Sequence, residues 1–590
     1  MSSNVPLPNL PACRRSSTVR PRNRPLCRLW CAFGLALCLT AGFHIAMHHM
    51  HDTSAASTLC RGDMFIKAAH YFGDSSPTSF WSDVSVSSAA QHFLQIKEDG
   101  FNTVILLVPV ADFVSSANGL INIERRWLTL QVLMNMCNDF DLKVILRVGY
   151  SESTTHGLTT VDNGMRRCRR MLMNDSDAWL EWNSLVSRLR DMVFSIPSYL
   201  FSFITWEDFS CALLHWPEGA EKERIAWAAN SGFRRFVFYD FTNTSTDQWR
   251  QNERDEAAIL DPRFESLPIP LLNATPHLRV LYLKFVNHLW RSLVHRTRSL
   301  MPELGFESRL DSEPVVLPNG QLQWWRNELL EHDVAVRCGY WSPSYLASPV
   351  LKVTAEQALN SLKVALEYYT VYGSYTKFIL DQFNFQDNTP DMGIPSITNE
   401  GLNEFIVRSA ALLETYSSGY GIWAYRNYRQ TVVHNGYFET GMEGWNMTGC
   451  CLLRHQGANV LKVKEKVVLS QSTIVNMCSK QTFCLTGVAG NGTVNITVGL
   501  NERIFQLSQL PEYCIQFQNI RSSDGLFVTV YDGGHITFKG IQFFCHEHHF
   551  DMYGVAGEKL SNFKYVRLLN ALLPASICST SGSSFLVDNA

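Results

Sequence analysis

Acidic side chains follow two of the most apolar stretches of this sequence. Trp206, Glu207 and Asp208 come directly after Tyr199–Thr205, and Asp381 stands within Lys377–Asn384, where three apolar residues precede it. A carboxylate is costly to bury in an apolar core but useful in a cleft. Two facing carboxyl groups can work as a pair, one donating a proton while the other attacks or activates water. The alternative is that each acid marks a strand turning into solvent or capping a loop.

Apolar runs alternate with helical patterns around these acids, which predicts a parallel sheet with helical crossovers. A helix-dominated insertion, Phe209–Pro302, interrupts the alternation once. Eight strands are the number in a closed (β/α)₈ TIM barrel. An open doubly wound sheet is the alternative, but no G-x-G-x-x-G follows an early strand. The strand candidates are Asp63–Gly73, Phe101–Pro109, Leu142–Tyr150, Tyr199–Phe209, Glu303–Pro314, Val334–Pro343, Lys377–Asn384 and Tyr420–Tyr425.

The strand ends of this predicted barrel combine acids with aromatic residues. Reactive groups of a (β/α)₈ barrel lie at the C-terminal ends of its strands. Aromatic rings stack on sugar rings, and a carboxyl pair cleaves the acetal, so the pattern predicts a sugar site, with Glu207 and Asp381 among the acids at this rim. Arg147 could instead hold Glu207 in a structural ion pair, and the aromatic rings could be core. The predicted substrate-binding residues are His70, Arg147, Trp206, Asp311, Glu313, Trp341, Gln382 and Trp423.

The order of these features resembles the clan A glycoside hydrolases of the cellulase and β-galactosidase type. These are retaining (β/α)₈ enzymes with a Glu acid/base after the fourth strand and a Glu nucleophile after the seventh. FNTVILLVPV (101–110) is similar to their second strand, ITWED (204–208) to their fourth-strand end, and GYGIWAY (419–425) to their eighth strand. The resemblance implies that Glu207 is the acid/base and that Trp423 forms the floor of the sugar subsite.

The sequence departs from that clan at two positions. Trp206 stands where the clan usually has Asn, and Asp381 stands where it has Glu. Asp is one methylene shorter, and a displacement of about 1 Å can cost on the order of a hundredfold in rate. Three outcomes are open: an Asp nucleophile with an adjusted backbone, a wider carboxyl spacing with inversion, or a site that only binds.

The sequence pattern changes near residue 433, from long apolar runs alternating with helical patterns to short alternating runs. Short alternating runs with Gly-rich turns predict an antiparallel, jelly-roll-like β-sandwich over 433–590, after a barrel domain over 63–432. The segment Asn435–Trp445 resembles the opening of xylanase-type carbohydrate-binding modules. A sandwich that only supports the barrel is the alternative. Seven of the 16 cysteines fall in the last 141 residues, which predicts disulfide bonds.

The N-terminal region predicts a membrane anchor and a lumenal or extracellular body. Residues 1–28 hold six Arg and no acid, and the apolar run Leu29–Met47 follows them. This order favours a type II signal anchor with a cytosolic basic tail and a stem at 48–62, in the Golgi, the secretory pathway or the cell surface. A cleaved signal and a secreted protein are the alternative. The six N-glycosylation sequons are Asn174, Asn243, Asn273, Asn446, Asn491 and Asn495.

Composition and motifs together narrow the class of function that the sequence predicts. The chain of 590 residues has a formal net charge of -3, so nothing points to a nucleic-acid partner. The sequence predicts a glycoside hydrolase acting on a polysaccharide or glycoconjugate, with no metal and no cofactor, and it leaves the oligomeric state open. A catalytically inactive glycan-binding protein is the alternative. A Golgi glycosyltransferase is a weaker one, because the D-x-D at Asp139–Asp141 lies at the wrong end of the barrel. The His546–His549 stretch alternates across a strand, which disfavours a metal site there.

Overall fold

The computed structural model describes residues 64–575 except 74, 78, 115–122, 150–175, 206–275, 310–314, 317–321, 324–335, 344–351, 374–377, 390–395, 432, 440–441, 443, 449–450, 456–457, 464–466, 472–479, 508–509, 519–525, 532–535 and 556. The predicted tail, anchor and stem (1–62) therefore lie outside the described residues and stay predictions. Among the helices that the structure describes, none has the length and apolar character needed to cross a membrane.

Eight parallel strands close into a barrel, which confirms the predicted (β/α)₈ fold. Each strand pairs with the next in chain order, and the last pairs with the first, so the sheet has no free edge. The strands are β1 (Ile66–His70), β2 (Thr103–Pro109), β3 (Lys143–Gly149), β4 (Tyr199–Ile204), β5 (Gly305–Arg309), β8 (Val336–Trp341), β10 (Ile379–Phe383) and β12 (Gly419–Ile422). Short two-stranded pairs lie between them, formed by β6 (Val315–Val316) with β7 (Leu322–Gln323) and by β9 (Lys352–Val353) with β11 (Ser396–Ile397).

The barrel strands are buried on both faces, one lining the interior of the barrel and the other packed against the helices. An inner cluster fills the barrel, and it includes Ala68, Ile105, Ile145, Phe203, Cys338 and Ile379. The outer faces pack against the helices in one larger core. The helices are α1 (Phe80–Asp83), α2 (Val86–Glu98), α3 (Val110–Phe113), α4 (Ile123–Asp139), α5 (Ser176–Val193), α6 (Pro276–Leu300), α7 (Ala355–Gly373) and α8 (Leu402–Tyr416). This double burial explains why strands such as β2 and β3 stand out in the sequence as mainly apolar runs.

Antiparallel sheets follow the barrel, as the alternating pattern predicted. They form a four-stranded sheet (β13-β24-β18-β21), a five-stranded sheet (β14-β17-β22-β19-β20) and a three-stranded sheet (β15-β16-β23). The strands are β13 (Tyr428–Thr431), β14 (Asn446–Thr448), β15 (Cys451–His455), β16 (Ala458–Val463), β17 (Val467–Gln471), β18 (Lys480–Val488), β19 (Gly492–Val498), β20 (Asn501–Leu507), β21 (Leu510–Gln518), β22 (Leu526–Tyr531), β23 (Ile536–Phe538) and β24 (Gly540–His548). A separate apolar core fills this β domain. The disulfide Cys484–Cys514 links β18 to β21.

The segment after the β domain returns to the barrel. Helix α9 (Phe563–Leu572) contributes Val566, Leu569 and Leu573 of its segment to the barrel's core cluster. Lys67 Nζ on β1 donates to the carbonyls of Asn570 (2.6 Å) and Leu573 (2.7 Å). The described residues after His548 thus pack with the barrel, whereas the predicted division at 432/433 assigned them to the sandwich. The division itself stays a prediction.

Three of the predicted glycosylation sites lie in the described part of the chain. Asn446 and Asn491 are exposed, as an attached glycan requires. Asn495 is only 6% exposed, and its Nδ2 donates to the Glu502 carboxylate across the β19–β20 pair. Attachment at Asn495 would require that pair to open. Asn174, Asn243 and Asn273 lie outside the described residues, and glycosylation stays a prediction at every site.

Asp83 joins the barrel to the β domain. Its Oδ1 accepts from the Tyr437 backbone N–H at 3.4 Å, and its Oδ2 accepts from the Ser75 hydroxyl at 3.4 Å. Burial raises the pKa of Asp83 to about 7, although the hydrogen bonds from Tyr437, Gly436 and Ser75 oppose the shift. The folded chain therefore holds a proton here between about pH 4 and 7, where the unfolded chain has released it.

This protonation predicts a pH dependence of stability. The contribution of Asp83 is fully present below about pH 4 and is lost as the pH rises through about 7, by up to about 4 kcal/mol. His92 acts oppositely, since burial and then Arg426 lower its pKa to about 3, which destabilises the fold as the pH falls. Comparing wild type with Asp83→Asn by urea unfolding at pH 4–8 isolates Asp83. The stability advantage of wild type should shrink steadily with rising pH, and a constant difference would contradict the prediction.

Candidate functional site

A buried ion pair crosses the barrel mouth, which is the end where the eight strands finish. Arg147 on β3 donates from Nη2 to Glu307 Oε2 on β5 at 2.8 Å. Thr205, directly after β4, accepts from Arg147 Nε at 3.1 Å and donates to Glu307 Oε2 at 3.2 Å. Arg147, Thr205 and Glu307 are all fully buried. Three consecutive barrel strands are therefore tied together by one carboxylate oxygen.

An extra residue on β10 brings a fourth strand into this network. Three residues advance β10 from Ile379 to Gln382, while two advance its neighbour from Cys338 to Tyr340. Such a bulge re-aims the side chains beyond it. Gln382 consequently reaches Glu307, where its Nε2 donates to Oε1 at 2.9 Å. Both oxygens of Glu307 are thus held by donors.

Asp381 forms a second buried carboxyl site beside the first. It is fully buried on β10, and His70 at the end of β1 is 1% exposed. The His70 Nε2 lies 3.0 Å from the Asp381 carbonyl oxygen and 3.4 Å from its Oδ2. A Cβ on Gly421 would lie 2.5 Å from that carbonyl oxygen, so only glycine allows β12 to approach Asp381 this closely.

Trp423 connects the two carboxyl sites. It follows β12 directly, and its ring centroid lies 4.8 Å from the His70 ring and 4.8 Å from the guanidinium carbon of Arg147. Phe72, two residues beyond His70, packs against the same indole at 4.7 Å. A cation over an indole face is favourable by about 0.5–2 kcal/mol, so Arg147 and Trp423 fix each other's position.

The structure brings together five of the residues that the sequence predicted for the site: His70, Arg147, Asp381, Gln382 and Trp423. With Thr205 and Glu307 we call them the mouth cluster. Trp341 lies elsewhere, because its ring packs against Phe383 and Phe405 in the outer core and its Nε1 donates to Ser361. Trp206, Glu207, Asp311 and Glu313 lie outside the described residues. The pairing of Glu207 with Asp381 therefore stays a prediction.

Glu307 is the residue of the mouth cluster that sequence reasoning missed. The sequence predicted Asp311 and Glu313 as the substrate-binding residues of this strand, because they stand nearer its end. Glu307 instead pairs with Cys338 on β8, whose side chain belongs to the inner cluster. The signal was available in the alternation of Phe306 and Ser308 around it, since neighbouring residues of a strand point to opposite faces.

The other acidic motifs lie away from the mouth. Asp141 follows α4 at the end of the barrel where strands begin, and its exposed Oδ2 accepts from Lys97 at 2.8 Å. His549 lies 3.3 Å from Glu547 in the β domain. Within the described ranges, Cys484, Glu512 and Cys514 bring three metal-type ligand atoms together, but the two cysteines are already bonded to each other.

The mouth cluster combines groups that suit acid–base chemistry on a polyol. Glu307 and Asp381 offer acceptor oxygens, Arg147 supplies a fixed positive charge, and His70 can exchange a proton. Trp423 adds an aromatic surface at the same place. Because all four polar groups are buried, their electrostatic interactions are stronger than they would be in water.

No protein-family model matches the chain, and the curated proteins return no match. The solved structures to which this chain is similar include an exo-β-1,4-mannosidase from Opitutaceae bacterium strain TAV5, at 11% identity over 62% of this chain and 53% of that one, with a TM-score of 0.35. A β-galactosidase from the psychrophilic Marinomonas ef1 gives 12% identity over 61% and 54%, with a TM-score of 0.39. The module TmCBM61, solved with β-1,4-galactotriose, gives 17% identity over 19% of this chain and 97% of that one, with a TM-score of 0.17.

This chain spans about half of the length of the mannosidase and of the galactosidase. Two of the three structures named above are glycosidases, and the third is a carbohydrate-binding module. At these TM-scores the fold assignment rests on the closed barrel of the chain itself. The protein is a (β/α)₈ barrel joined to an antiparallel β domain.

Proposed function

We propose that this protein is a glycoside hydrolase that cleaves a polysaccharide or glycoconjugate at the barrel mouth. The observation that supports it most is the pair of fully buried carboxyl groups, Glu307 and Asp381, at the end of the barrel where such enzymes carry their chemistry. A core without function would rarely keep two carboxyls, a guanidinium and an imidazole in contact. Trp423 gives the same place a surface on which a sugar ring can stack.

In the proposed mechanism Glu207 protonates the leaving oxygen and Asp381 attacks the anomeric carbon or activates water. Glu207 follows Thr205 by two residues, and Thr205 is fixed in the mouth cluster by Arg147 and Glu307. The extra residue on β10 is a local backbone adjustment next to Asp381. Because Asp is one methylene shorter than Glu, a nucleophilic Asp381 needs a backbone adjustment to reach the anomeric carbon. The extra residue favours this outcome over inversion and over a site that only binds. No metal or cofactor is required.

The proposed setting is the secretory pathway. The predicted anchor and the exposed sequons at Asn446 and Asn491 support a type II membrane protein of the Golgi or cell surface, or else a secreted one. The disulfide Cys484–Cys514 fits an oxidising compartment. The partner in either case is a carbohydrate.

Substitution of the proposed catalytic pair tests the function. The full chain is assayed on nitrophenyl glycosides and oligosaccharides of the gluco, manno, galacto and xylo series. Glu207→Gln and Asp381→Asn should each lower kcat/KM by about 10²–10⁴-fold, because each removes one half of an acid–base pair. Asp141→Asn, an exposed change at the opposite end of the barrel, should leave the rate within twofold. Near-full activity in either catalytic variant would refute that residue's role.

The same assay addresses the alternative of a glycan-binding protein without activity. Binding of these sugars without any hydrolysis by wild type would favour that alternative. Where hydrolysis is found, the anomer released first, followed by nuclear magnetic resonance, separates retention from inversion. Retention fits Asp381 as the nucleophile, whereas inversion fits Asp381 as the base that activates water.

A further inference from the structure

A cavity of about 870 Å³ lies between the barrel and the β domain, beside the mouth cluster. We propose that it is a second saccharide subsite that takes an uncharged part of a glycan, an inference that rests on the proposed function in taking a saccharide as the ligand. Its volume lies in the upper part of the range of small-molecule sites, about 300–1,000 Å³, which leaves room for more than one sugar ring.

Phe72 connects this cavity with the mouth cluster. Its ring packs on Trp423, and it also lines the cavity. Tyr71, the residue between His70 and Phe72, lines the cavity as well. Asn427, which follows Trp423 by four positions in the sequence, also lines the cavity. Phe72 is therefore a wall that the cavity shares with the mouth cluster.

The lining carries the groups that recognise a sugar. Four aromatic side chains contribute, which are Tyr71, Phe72, Phe80 and Tyr437. Hydroxyl and amide groups accompany them at Ser75, Ser88 and Asn427. The rings of Tyr71, Phe72 and Phe80 are only 1–3% exposed and form an apolar floor, so the half-buried Tyr437 is the ring of these four that can stack on a sugar. Polar groups at fixed positions set the orientation of a ligand.

The charges of the lining disfavour an acidic ligand. Six carboxyl residues line the cavity, Asp83, Glu439, Glu512, Glu547, Asp551 and Glu558. Asp83 holds its proton up to about pH 7 and adds no negative charge below that pH. Against them stand two permanent cations, Arg429 and Lys539. Like charges placed together repel, so uronic acids, sulfated sugars and other anionic glycans should be excluded. Carboxylates remain good acceptors for the hydroxyl groups of an uncharged sugar.

The walls of the cavity are held in place before any ligand binds. Arg429 donates from Nη2 to Glu512 Oε2 at 2.9 Å and from Nε to Glu547 Oε2 at 2.8 Å, which ties β13 to β21 and β24. Asp551 is fixed through the Asn427 side chain, whose Oδ1 accepts from the Asp551 backbone N–H at 2.9 Å. Preformed walls lower the entropic cost of binding.

A cavity-filling substitution with a matched control tests the proposal. The full chain carrying Asp381→Asn, so that glycans are not cleaved, is applied to an array of uncharged oligosaccharides of the gluco, manno, galacto, xylo and N-acetylglucosamine series. Uronic-acid and sulfated oligosaccharides form the anionic arm. Ser88→Trp places an indole in the cavity, whereas Ser87→Trp adds the same indole to the exposed side of helix α2. Tyr437→Ala removes an aromatic wall instead, in case Ser88→Trp disturbs folding.

Binding of uncharged glycans should fall at least tenfold in Ser88→Trp and in Tyr437→Ala, and it should be unchanged in Ser87→Trp. The proposal is overturned if no uncharged glycan binds, if anionic glycans bind better, or if both cavity variants bind as the parent does. Hydrolysis by wild type is measured separately. If wild type hydrolyses no glycan but binding still depends on the cavity residues, the proposed function is refuted and the subsite is retained.

Discussion

Replacing Arg147 with methionine is expected to lower the free energy of unfolding by about 3–5 kcal/mol. The Glu307 carboxylate accepts from Arg147 at 2.8 Å, and both side chains are fully buried. Methionine has a similar length but no charge, so Glu307 would keep a buried negative charge without its guanidinium. Removing one partner of a buried pair costs about this much. Urea unfolding monitored by tryptophan fluorescence measures the loss.

The double variant Arg147→Met/Glu307→Gln separates the ion pair from simple packing. It should recover most of the stability that Arg147→Met loses, because no unpaired charge remains. Lys97→Met is the matched control, since Lys97 and Asp141 form an exposed pair at 2.8 Å whose loss should cost less than about 1 kcal/mol. The prediction fails if Arg147→Met behaves like Lys97→Met, or if the double variant is no more stable than Arg147→Met.

Replacing Asp99 with alanine is expected to cost roughly 3–4 kcal/mol and to loosen the C-terminal segment. Asp99 Oδ2 accepts from the Tyr425 hydroxyl at 2.7 Å and from the Tyr553 hydroxyl at 2.8 Å. Burial, and then the Asp99 charge, raises the pKa of Tyr425 above its ordinary value. Alanine would leave two tyrosine hydroxyls without this acceptor, at about 1–3 kcal/mol each. Unfolding in urea measures the stability, and hydrogen exchange over α9 measures the loosening.

Tyr553→Phe is the control for Asp99. It removes one donor together with its need for a partner, so it should cost about 1 kcal/mol. Arg567 also approaches Asp99 Oδ1, at 3.3 Å, but it is half exposed and should contribute little. An Asp99→Ala variant no less stable than Tyr553→Phe would show that Asp99 does not hold the segment.

The eight barrel strands could be predicted because each is buried on both faces. The stretch TVILLVP of β2 is buried throughout, and such a run has few alternatives to a central parallel strand. The ends of the strands were predictable to within a few residues for the same reason. Their pairing in chain order follows from the helices between them, which require crossover connections.

The orientation of individual side chains was harder to predict. Trp341 and Glu307 both stand near strand ends, yet Glu307 points inward and Trp341 outward. Shifting a strand by one residue moves each of its side chains from one face of the sheet to the other, so the orientation depends on the register between neighbouring strands. On β10 the extra residue changes the phase between Ile379 and Phe383, so that Asp381 and Gln382 both join the mouth cluster. A bulge of this kind leaves little trace in a sequence.

The return of α9 to the barrel could not be predicted either. Its sequence, FKYVRLLNAL, shows an apolar face but does not say which surface covers that face. The partner is chosen by tertiary contacts such as those of Lys67 with the Asn570 and Leu573 carbonyls. The predicted sandwich, 433–590, included this segment, and no helix was predicted in it.

The backbone N–H of Phe65 donates to the carbonyl of Ala575 at 3.2 Å, so the stretch before the first barrel strand lies against the last described residue. On the ribosome, the barrel strands emerge well before the segment that covers them. Residues 428–548 must be translated in between, which takes on the order of ten seconds at about 5–20 residues per second. During that delay the β domain can fold while the barrel still lacks its final layer. A nascent chain stopped at β12 would therefore expose apolar surface that α9 and the segment before it cover in the folded chain, and it would be a target for chaperones.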